Sequence, residues 1–272
     1  VPLGEGELAQ PTLPDKLREL RRDVPRILAL QSEGVEEGGG SARLHVLSGS
    51  YHRLVEAVKP EYAELPDALF RRPEGRELTE ALRRAGVKLI RRRRYEGDTP
   101  RTLASDLKEM EASGRDIAKI DVSVRSTEDL RTLYLAAEEA RLARPGRERI
   151  VCGRGVYGLP SRLLATRFGS SWTYVGANDP EGLSPRELVE RFGYREAERG
   201  APLFAVLGDP VLHSGSPSYH NGRFRDEGVS AAYIAFPADK LSPTMELFDR
   251  LDVRGVSVMI PHKEGVLAYL AE

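Results

Sequence analysis

The sequence predicts an α/β protein built from parallel strands and covering helices. Apolar runs rich in Ile and Val, such as Arg26–Leu30 and Asp116–Val122, alternate with amphipathic segments such as Pro100–Ser113. Strands that alternate with helices at this spacing are typical of parallel βα units. The alternation shows no switch point, and one buried run carries a lysine on an inward-facing position, which suits closure into a barrel.

The first part of the chain supplies most of these units. The predicted strands, chosen as short apolar runs, are Arg26–Leu30, Val87–Ile90, Asp116–Val122, Ile150–Cys152 and Trp172–Val175. The predicted helices are Asp15–Arg22, Tyr51–Val58, Arg76–Ala85, Pro100–Ser113, Thr127–Leu142, Ser161–Arg167 and Pro185–Phe192. In Pro100–Ser113, Leu103, Leu107 and Met110 share one face and Thr99 is a candidate N-cap.

A charged stretch from Arg195 to Pro202 is interpreted as a linker, after which the βα pattern resumes. The predicted strands are Leu203–Leu207, Ala232–Phe236 and Gly255–Ile260. The predicted helices are Ser218–Glu227, Leu241–Leu251 and Lys263–Leu270. The chain therefore divides into domains at 1–198 and 202–272.

Composition narrows the class of protein. The 272 residues suffice for one large or two ordinary domains, and 41 basic against 42 acidic residues leave a net charge of −1. This balance gives no argument for nucleic acid or a membrane as partner. A single cysteine, Cys152, rules out an internal disulfide, and no apolar run approaches the length of a membrane span. We expect a cytoplasmic protein whose partners are small molecules; the oligomeric state is not predicted.

Lys119 is the first candidate catalytic residue. It lies in the middle of the apolar run Asp116–Val122, where alternation places it on the same face as Ile117 and Asp121. Burial of an ammonium group is costly unless it is paired, and it lowers the pKa of a lysine toward that of an amine nucleophile. The alternative is a lysine at a strand end that extends to solvent.

Two segments, Gly158–Leu163 and Arg167–Tyr174, lie downstream of the Lys119 run. Together these stretches resemble the type I 3-dehydroquinate dehydratases. The resemblance implies a (β/α)8 TIM-type barrel, a Schiff base on Lys119 and an arginine, Arg162, that holds the substrate carboxylate. A full barrel usually takes about 250 residues, so a shorter domain suggests a barrel that is incomplete on its N-terminal side.

The sequence departs from this family at several positions. The segment that carries the family's catalytic histidine corresponds to Arg91–Pro100, where the histidine has become Arg93 or Arg94. Gln31 replaces a substrate arginine, Gly182 replaces the glutamine of a lid, and the family's early Glu-x-Arg strand is not found. Arginine cannot shuttle protons as histidine does. A weak or inactive dehydratase is therefore one hypothesis.

Two stretches of the second domain, Gly208–Pro217 and Gly255–Glu264, resemble the substrate-binding part of shikimate dehydrogenase. The resemblance implies that Ser214 and Ser216 hold the carboxylate of shikimate and that Lys263 is catalytic. The alternative for the two serines is a loop that caps the following helix. The alternative for Lys263 is an exposed lysine without a catalytic role. Met259 stands where the family commonly has threonine.

No cofactor is expected in this chain. The resemblance implies NADP for a full-length dehydrogenase, whose nucleotide-binding part we expect beyond Glu272. The Gly153–Gly158 stretch fits the dinucleotide pattern G-x-G-x-x-G. It falls, however, where the dehydratase family has its own glycine loop, and Pro160 delays the helix that would bind a pyrophosphate. The basic run Arg91–Arg94 has no interleaved aromatic residues, so we interpret it as a solvated loop or anion contact rather than a nucleic-acid site.

Two functions remain open at this point. The first is a shikimate-pathway enzyme that dehydrates 3-dehydroquinate to 3-dehydroshikimate, fused to a shikimate dehydrogenase segment. The second is a catalytically degenerate protein that senses quinate or shikimate. The lost histidine favours the second function, whereas the retained Lys119 and the absence of a DNA-binding segment favour the first.

Overall fold

The computed structural model describes residues 2–3, 25–30, 51, 54–176 and 183–270. Three predictions lie outside these residues, namely the helix Asp15–Arg22 and the roles of Gln31 and Gly182. The chain divides into two compact units, unit 1 from residues 1–93 and 109–119 and unit 2 from residues 94–108 and 120–272. Each unit is described by itself.

Six strands form the first sheet, in the order β1-β2-β3-β4-β5-β6. Their bounds are β1 Pro2–Leu3, β2 Ile27–Leu30, β3 Tyr62–Pro66, β4 Lys88–Tyr95, β5 Ile117–Ser123 and β6 Arg149–Arg154. Neighbouring strands from β1 to β4 pair in parallel, as predicted. Four of the predicted strands are confirmed as β2, β4, β5 and β6. Strand β3 was not predicted.

Helices follow the strands, which confirms the predicted βα alternation. Their bounds are α1 at 54–58, α2 Asp67–Phe70, α3 Pro73–Arg84, α4 Leu103–Met110, α5 Thr127–Ala143 and α6 Leu159–Leu163. Helix α5 begins after Ser126, whose hydroxyl accepts the N–H of Asp129 and so caps the helix. Helix α4 starts later than predicted, and Thr99 does not cap it, because the Thr99 hydroxyl instead donates to the carbonyl oxygen of Ser123.

The core of unit 1 determines which way the side chains of β3 point. Ala63 and Leu65 are fully buried in this core with apolar residues of the neighbouring elements. The other members are Leu28, Tyr51, Leu54, Val55, Val58, Leu69, Leu78, Leu82, Val87 and Leu89. Because successive side chains of a strand face opposite sides, Glu64 points away from Ala63 and Leu65.

In unit 2 the long helix α5 is held by its apolar face and by a buried arginine. Leu130 and Leu133 are completely buried, and Tyr134 packs edge-on against Phe168 with ring centroids 5.2 Å apart. Arg149 is 1% exposed, and its guanidinium donates to backbone carbonyl oxygens near the end of α5. These bonds satisfy carbonyl groups that a helix end leaves without a partner.

The prediction of a strand at Trp172–Val175 is wrong, since residues 172–176 are irregular. The carbonyl oxygens that a strand would use are taken by side chains. Ser170 donates its hydroxyl to the Trp172 oxygen at 3.0 Å, and Arg162 donates to the Tyr174 oxygen. Side-chain bonds of this kind compete with a sheet ladder.

Three parallel strands form a second sheet in unit 2, in the order β8-β7-β9. Their bounds are β7 Leu203–Gly208, β8 Ala232–Pro237 and β9 Val253–Val258, and the accompanying helices are α7 Tyr194–Glu198, α8 Ser216–Asp226 and α9 Leu241–Arg250. All three predicted strands are confirmed. Helix α7 lies inside the stretch interpreted as a linker, and the last predicted helix is a single 3-10 segment, Gly265–Tyr269.

The second sheet of unit 2 is joined to α5 by polar contacts. Thr127, at the start of α5, donates its N–H and its hydroxyl to one carboxylate oxygen of Asp239, at 2.8 and 2.7 Å. Further along α5, Glu138 pairs with Arg250 at 2.8 Å. Thr127 is completely buried, so its bonds to Asp239 are partly shielded from water, whereas the Arg250–Glu138 pair is exposed.

Candidate active site

Lys119 lies at the centre of a buried ion pair. Strand β5 carries it in unit 1, and only 6% of the residue is exposed. Its Nζ lies 3.0 Å from both carboxylate oxygens of Glu64, which is 2% exposed. In general, a carboxylate at this distance favours the ammonium form of a lysine over the neutral amine. The nitrogen must therefore lose a proton before it can attack a carbonyl carbon.

Glu64 also contacts a second cation and lies near a tyrosine. Nη1 of Arg92, a residue 3% exposed, is 3.5 Å from Oε1 of Glu64. The Tyr51 hydroxyl donates to the Leu28 carbonyl oxygen at 2.6 Å. Burial and, secondly, the negative charge of Glu64 raise the pKa of Tyr51, so its hydroxyl stays protonated.

Sequence reasoning missed Glu64. Strand β3 is only five residues long and lies shortly after Pro60, so it produced no strand prediction. The available signal was a single carboxylate inside the short apolar run Tyr62–Pro66. An acidic residue at such a position needs a partner once it is buried.

The basic run Arg91–Arg94 is not a solvated loop, because it lies within strand β4. In unit 1, Arg91 and Arg93 both bind the buried Asp67, and Arg93 Nη2 is 2.5 Å from its Oδ2. Arg93 also contacts Glu109 at 3.1 Å. Arg93, at one of the two positions to which the family resemblance assigns the histidine, is therefore an arginine engaged with two carboxylates.

Unit 2 contains a similar arrangement around Asp121. This carboxylate is 5% exposed, with Arg94 Nη2 at 3.4 Å from Oδ2 and Arg154 Nε at 2.7 Å from Oδ1. Burial alone would lower the pKa of Arg154, but Asp121 and Glu96 outweigh it and raise that pKa. Arg154 is therefore a permanent cation. In each unit a buried carboxylate lies between two basic side chains.

Arg162 is buried in unit 2, where helix α6 positions it. It is 4% exposed, and it donates to the Tyr174 carbonyl oxygen from Nε at 3.2 Å and from Nη2 at 2.8 Å. Helix α6 begins earlier than predicted because Pro160 occupies its first turn, where a missing N–H costs nothing. Lys119 belongs to unit 1 and Arg162 to unit 2.

The Gly153–Gly158 loop does not fit a dinucleotide. Its glycines pack against each other: a Cβ added at Gly153 would lie 2.9 Å from the Cα of Gly158. The Ser161 hydroxyl fills the loop, accepting the N–H of Gly153 and donating to the oxygen of Gly158. Helix α6, which follows, has only five residues, too few to present a useful dipole to a phosphate. These residues do not fit NADP.

The candidate residues of the second sheet lie close to the surface. Ser214 and Ser216 are half-buried, and the N–H of Ser216 donates to Oγ of Ser214 at 3.3 Å. Lys263 is exposed in the turn that follows β9. Its neighbour His262 is buried, with Nε2 at 2.7 Å from the Ala238 carbonyl oxygen. The Met259 backbone pairs with Leu207 in the sheet.

None of the helices placed by the structure is long and apolar enough to cross a membrane. Within the same described part of the chain, no group of three or more His, Cys, Asp or Glu side chains could hold a metal ion.

Known families account for both parts of the chain. Residues 10–195 match the model of type I 3-dehydroquinase. Residues 206–272 match the model of the shikimate dehydrogenase substrate binding domain. The chain belongs to the type I 3-dehydroquinase family, and it carries a shikimate dehydrogenase substrate-binding segment after the dehydratase region.

Individual proteins are similar to each part. The chain is 26% identical over 163 residues to the chloroplastic bifunctional 3-dehydroquinate dehydratase/shikimate dehydrogenase of Arabidopsis thaliana, covering 58% of this chain and 26% of that protein. It is 49% identical over 67 residues to shikimate dehydrogenase (NADP(+)) of Syntrophobacter fumaroxidans, covering 25% of this chain and 23% of that protein. The chain thus spans about a quarter of the length of these two relatives.

A solved structure confirms the fold class. The type I 3-dehydroquinate dehydratase of Clostridium difficile is similar with a TM-score of 0.55 and 24% identity, covering 65% of this chain and 70% of that chain. The barrel-type α/β class predicted from the sequence is therefore confirmed. Of the described strands, β1 to β6 form one six-stranded sheet.

Proposed function

We propose that the chain dehydrates 3-dehydroquinate to 3-dehydroshikimate through a Schiff base on Lys119. The buried Lys119–Glu64 pair, in a chain of the type I 3-dehydroquinase family, is the observation that carries this proposal. A lysine this deeply buried beside a carboxylate is costly to maintain for structure alone, since an apolar residue packs there at no desolvation cost.

The chemistry follows from the amine. Neutral Lys119 adds to the substrate ketone and forms an imine, which is protonated and acts as an electron sink. The sink acidifies the neighbouring C–H, and water leaves from the next carbon. Arg162 is proposed to hold the substrate carboxylate, since its planar guanidinium suits two parallel hydrogen bonds.

Local charge supports an anionic substrate. In unit 1, Arg92 and Lys119 surround Glu64, and in unit 2, Arg94 and Arg154 surround Asp121. In unit 1 the two cations outnumber the carboxylate between them, and this local excess of positive charge favours a carboxylate ligand. In unit 2, Glu96 also pairs with Arg94 and Arg154 and balances the charge.

Residues 202–272 are proposed to bind shikimate or 3-dehydroshikimate through Ser214 and Ser216, with Lys263 as acid and base. Hydride transfer requires NADP, which the Gly153–Gly158 loop does not fit. This segment is therefore proposed as a binding element of a dehydrogenase. We propose a cytoplasmic location, although the Arabidopsis relative is named as chloroplastic.

Reductive trapping tests the dehydratase proposal. The protein is mixed with 3-dehydroquinate and borohydride, and the digest is mapped by mass spectrometry. We expect a covalent adduct on Lys119, because borohydride reduces the imine to a stable amine. No adduct at saturating ligand would contradict the proposal.

A binding protein is the second candidate, favoured by one observation. Both candidate positions of the family histidine hold arginines bound to carboxylates, Arg93 to Asp67 and Glu109 and Arg94 to Asp121, and arginine does not shuttle protons. Such a protein would bind 3-dehydroquinate or shikimate without turnover. Calorimetric binding together with no product by mass spectrometry would select this function.

A further inference from the structure

We infer that Glu64 is the proton acceptor and donor for Lys119, in the role that the missing histidine leaves open. This inference rests on the proposed dehydratase function. It starts from the contact itself: both carboxylate oxygens of Glu64 lie 3.0 Å from Nζ. That distance is within the range for direct proton transfer, about 2.6–3.2 Å.

Burial makes a direct transfer necessary. Lys119 and Glu64 are 6% and 2% exposed, so bulk water has little access to the pair. A proton that leaves Nζ must move to a nearby group, and Glu64 is the carboxylate in contact. The pair remains neutral overall whether the proton is on nitrogen or on oxygen, so the transfer leaves no uncompensated buried charge from these two groups.

Three of the described residues, Arg92, Tyr51 and Arg93, cannot take this proton. Arg92, which approaches Glu64 from β4, stays charged because its guanidinium does not deprotonate in proteins. Tyr51 keeps its own proton, which it donates to the Leu28 carbonyl oxygen. Arg93 is bound to Asp67 and Glu109 and is a permanent cation as well.

The steps balance with Glu64 alone as the carrier. The Lys119 ammonium gives a proton to the Glu64 carboxylate, and the free nitrogen lone pair forms a bond to the ketone carbon. The carbonyl π electrons move to oxygen, which takes the proton from Glu64. Glu64 then removes a proton from nitrogen and returns it to the hydroxyl, which leaves as water while the C=N bond forms.

After the imine has formed, the charges on the Lys119 nitrogen and on Glu64 are the same as before the reaction. A protonated imine now stands where the ammonium stood, and Glu64 is again a carboxylate. The buried cation and anion of the starting state are therefore both present again after the imine has formed. Glu64 would also stabilise the iminium that drives the later loss of a C–H proton.

The test measures how fast the borohydride-trapped adduct forms on Lys119 with 3-dehydroquinate. Glu64→Gln keeps the shape of the side chain but cannot accept a proton, and we expect adduct formation to slow at least about 10²-fold. Glu64→Asp keeps a carboxylate and we expect an intermediate loss, about tenfold. Asp116→Asn is the matched control, since Asp116 is a buried carboxylate of unit 1 paired with Arg83 at 2.6 Å; its rate should be unchanged.

Each outcome decides a separate question. If wild type forms no adduct, the dehydratase proposal fails. If wild type reacts and Glu64→Gln reacts as fast or faster, this inference alone is overturned, because Glu64 then only holds the lysine in its charged form. If Glu64→Gln does not fold, as circular dichroism would show, Glu64→Asp decides, and a rate equal to that of wild type overturns the inference.

Discussion

Two lysines carry the chemistry proposed for this chain, and their surroundings differ sharply. Lys119 is 6% exposed and is held by both oxygens of a buried glutamate. Lys263 is exposed in a turn after a short strand. The first lysine is placed by a sheet and a core of its own unit, whereas the second is placed by a surface segment.

The difference shows what each role requires of the protein. A lysine nucleophile must be switched between ammonium and amine, which requires a buried proton partner. A lysine that donates a proton to a bound ligand can remain a solvated cation until the ligand arrives. The experiments below test this contrast, beginning with the change expected to have the largest effect.

Replacing Lys119 with methionine should abolish the adduct entirely, because the nitrogen that forms the imine is gone. It should also destabilise the fold by about 3–5 kcal/mol, since Glu64 loses its closest buried cation. Mass spectrometry and urea unfolding measure the two effects. Lys108→Met is the control, because Lys108 pairs with Glu139 on the surface. An adduct on the methionine variant would show that another residue is the nucleophile.

Arg162→Ala should weaken the binding of 3-dehydroquinate about 10–100-fold, the effect of losing a hydrogen bond to a charged group. Titration calorimetry on the Lys119→Met background separates binding from imine formation. Arg162→Lys keeps the charge but loses the paired N–H groups that reach Tyr174, so we expect it to rescue only part of the affinity. Equal affinity for wild type and Arg162→Ala would remove this arginine from the proposed site.

Thr127→Val should lower stability by about 1 kcal/mol at neutral pH, because Asp239 loses a hydroxyl donor. Burial raises the pKa of Asp239, but the hydrogen bonds from Thr127 outweigh it and hold that pKa below its ordinary value. A depressed pKa gives stability that is present above the unfolded value of about 3.9 and lost as pH falls through the folded one.

The difference in the free energy of unfolding between wild type and Thr127→Val should therefore be smaller in acid than at neutral pH. Urea unfolding at pH 7 and pH 3 measures this difference. Thr132→Val is the control, since its hydroxyl bonds to a carbonyl oxygen within α5. A difference that is the same at both pH values would show that the Asp239 charge contributes nothing.

Ser214→Ala should give the smallest effect. We expect the free energy of unfolding to change by less than about 0.5 kcal/mol, as is usual for a partly exposed side chain. Binding of shikimate should weaken by about 1 kcal/mol if Ser214 donates to the ligand carboxylate. Calorimetry with shikimate measures this, and Ser218→Ala on the exposed side of α8 is the control. An unchanged affinity for shikimate would contradict the role proposed for Ser214.

The sequence was sufficient to predict the strands and helices that depend on the pattern of neighbouring residues. Strand β5 and its inward lysine follow from alternating Ile and Val residues, and α5 follows from apolar spacing behind Ser126. The same local logic was sufficient for all three strands of the second sheet.

Features that depend on distant partners were not predictable. The arginines of β4 resemble a solvated run because the carboxylate that neutralises two of them, Asp67, lies 24 and 26 residues away. Glu64 lies 55 residues from Lys119, so no window of sequence shows them as a pair. At Trp172–Val175 an apolar run looked like a strand, but the side chains of Ser170 and Arg162 had already taken its carbonyl oxygens.

The arginines of β4 supply cations to both faces of one strand. In the parallel pair β3–β4, Glu64 lies opposite Ile90, and Arg92 reaches Glu64 from two residues further along. Arg91 and Arg93, on the other face, both bind Asp67. Because residues 91–94 are all arginine, a slip of one residue would still place an arginine beside Glu64, but it would turn Leu89 out of the core of unit 1. The apolar residues that precede the run therefore determine the strand register, and the run supplies a cation to whichever carboxylate that register brings to each face.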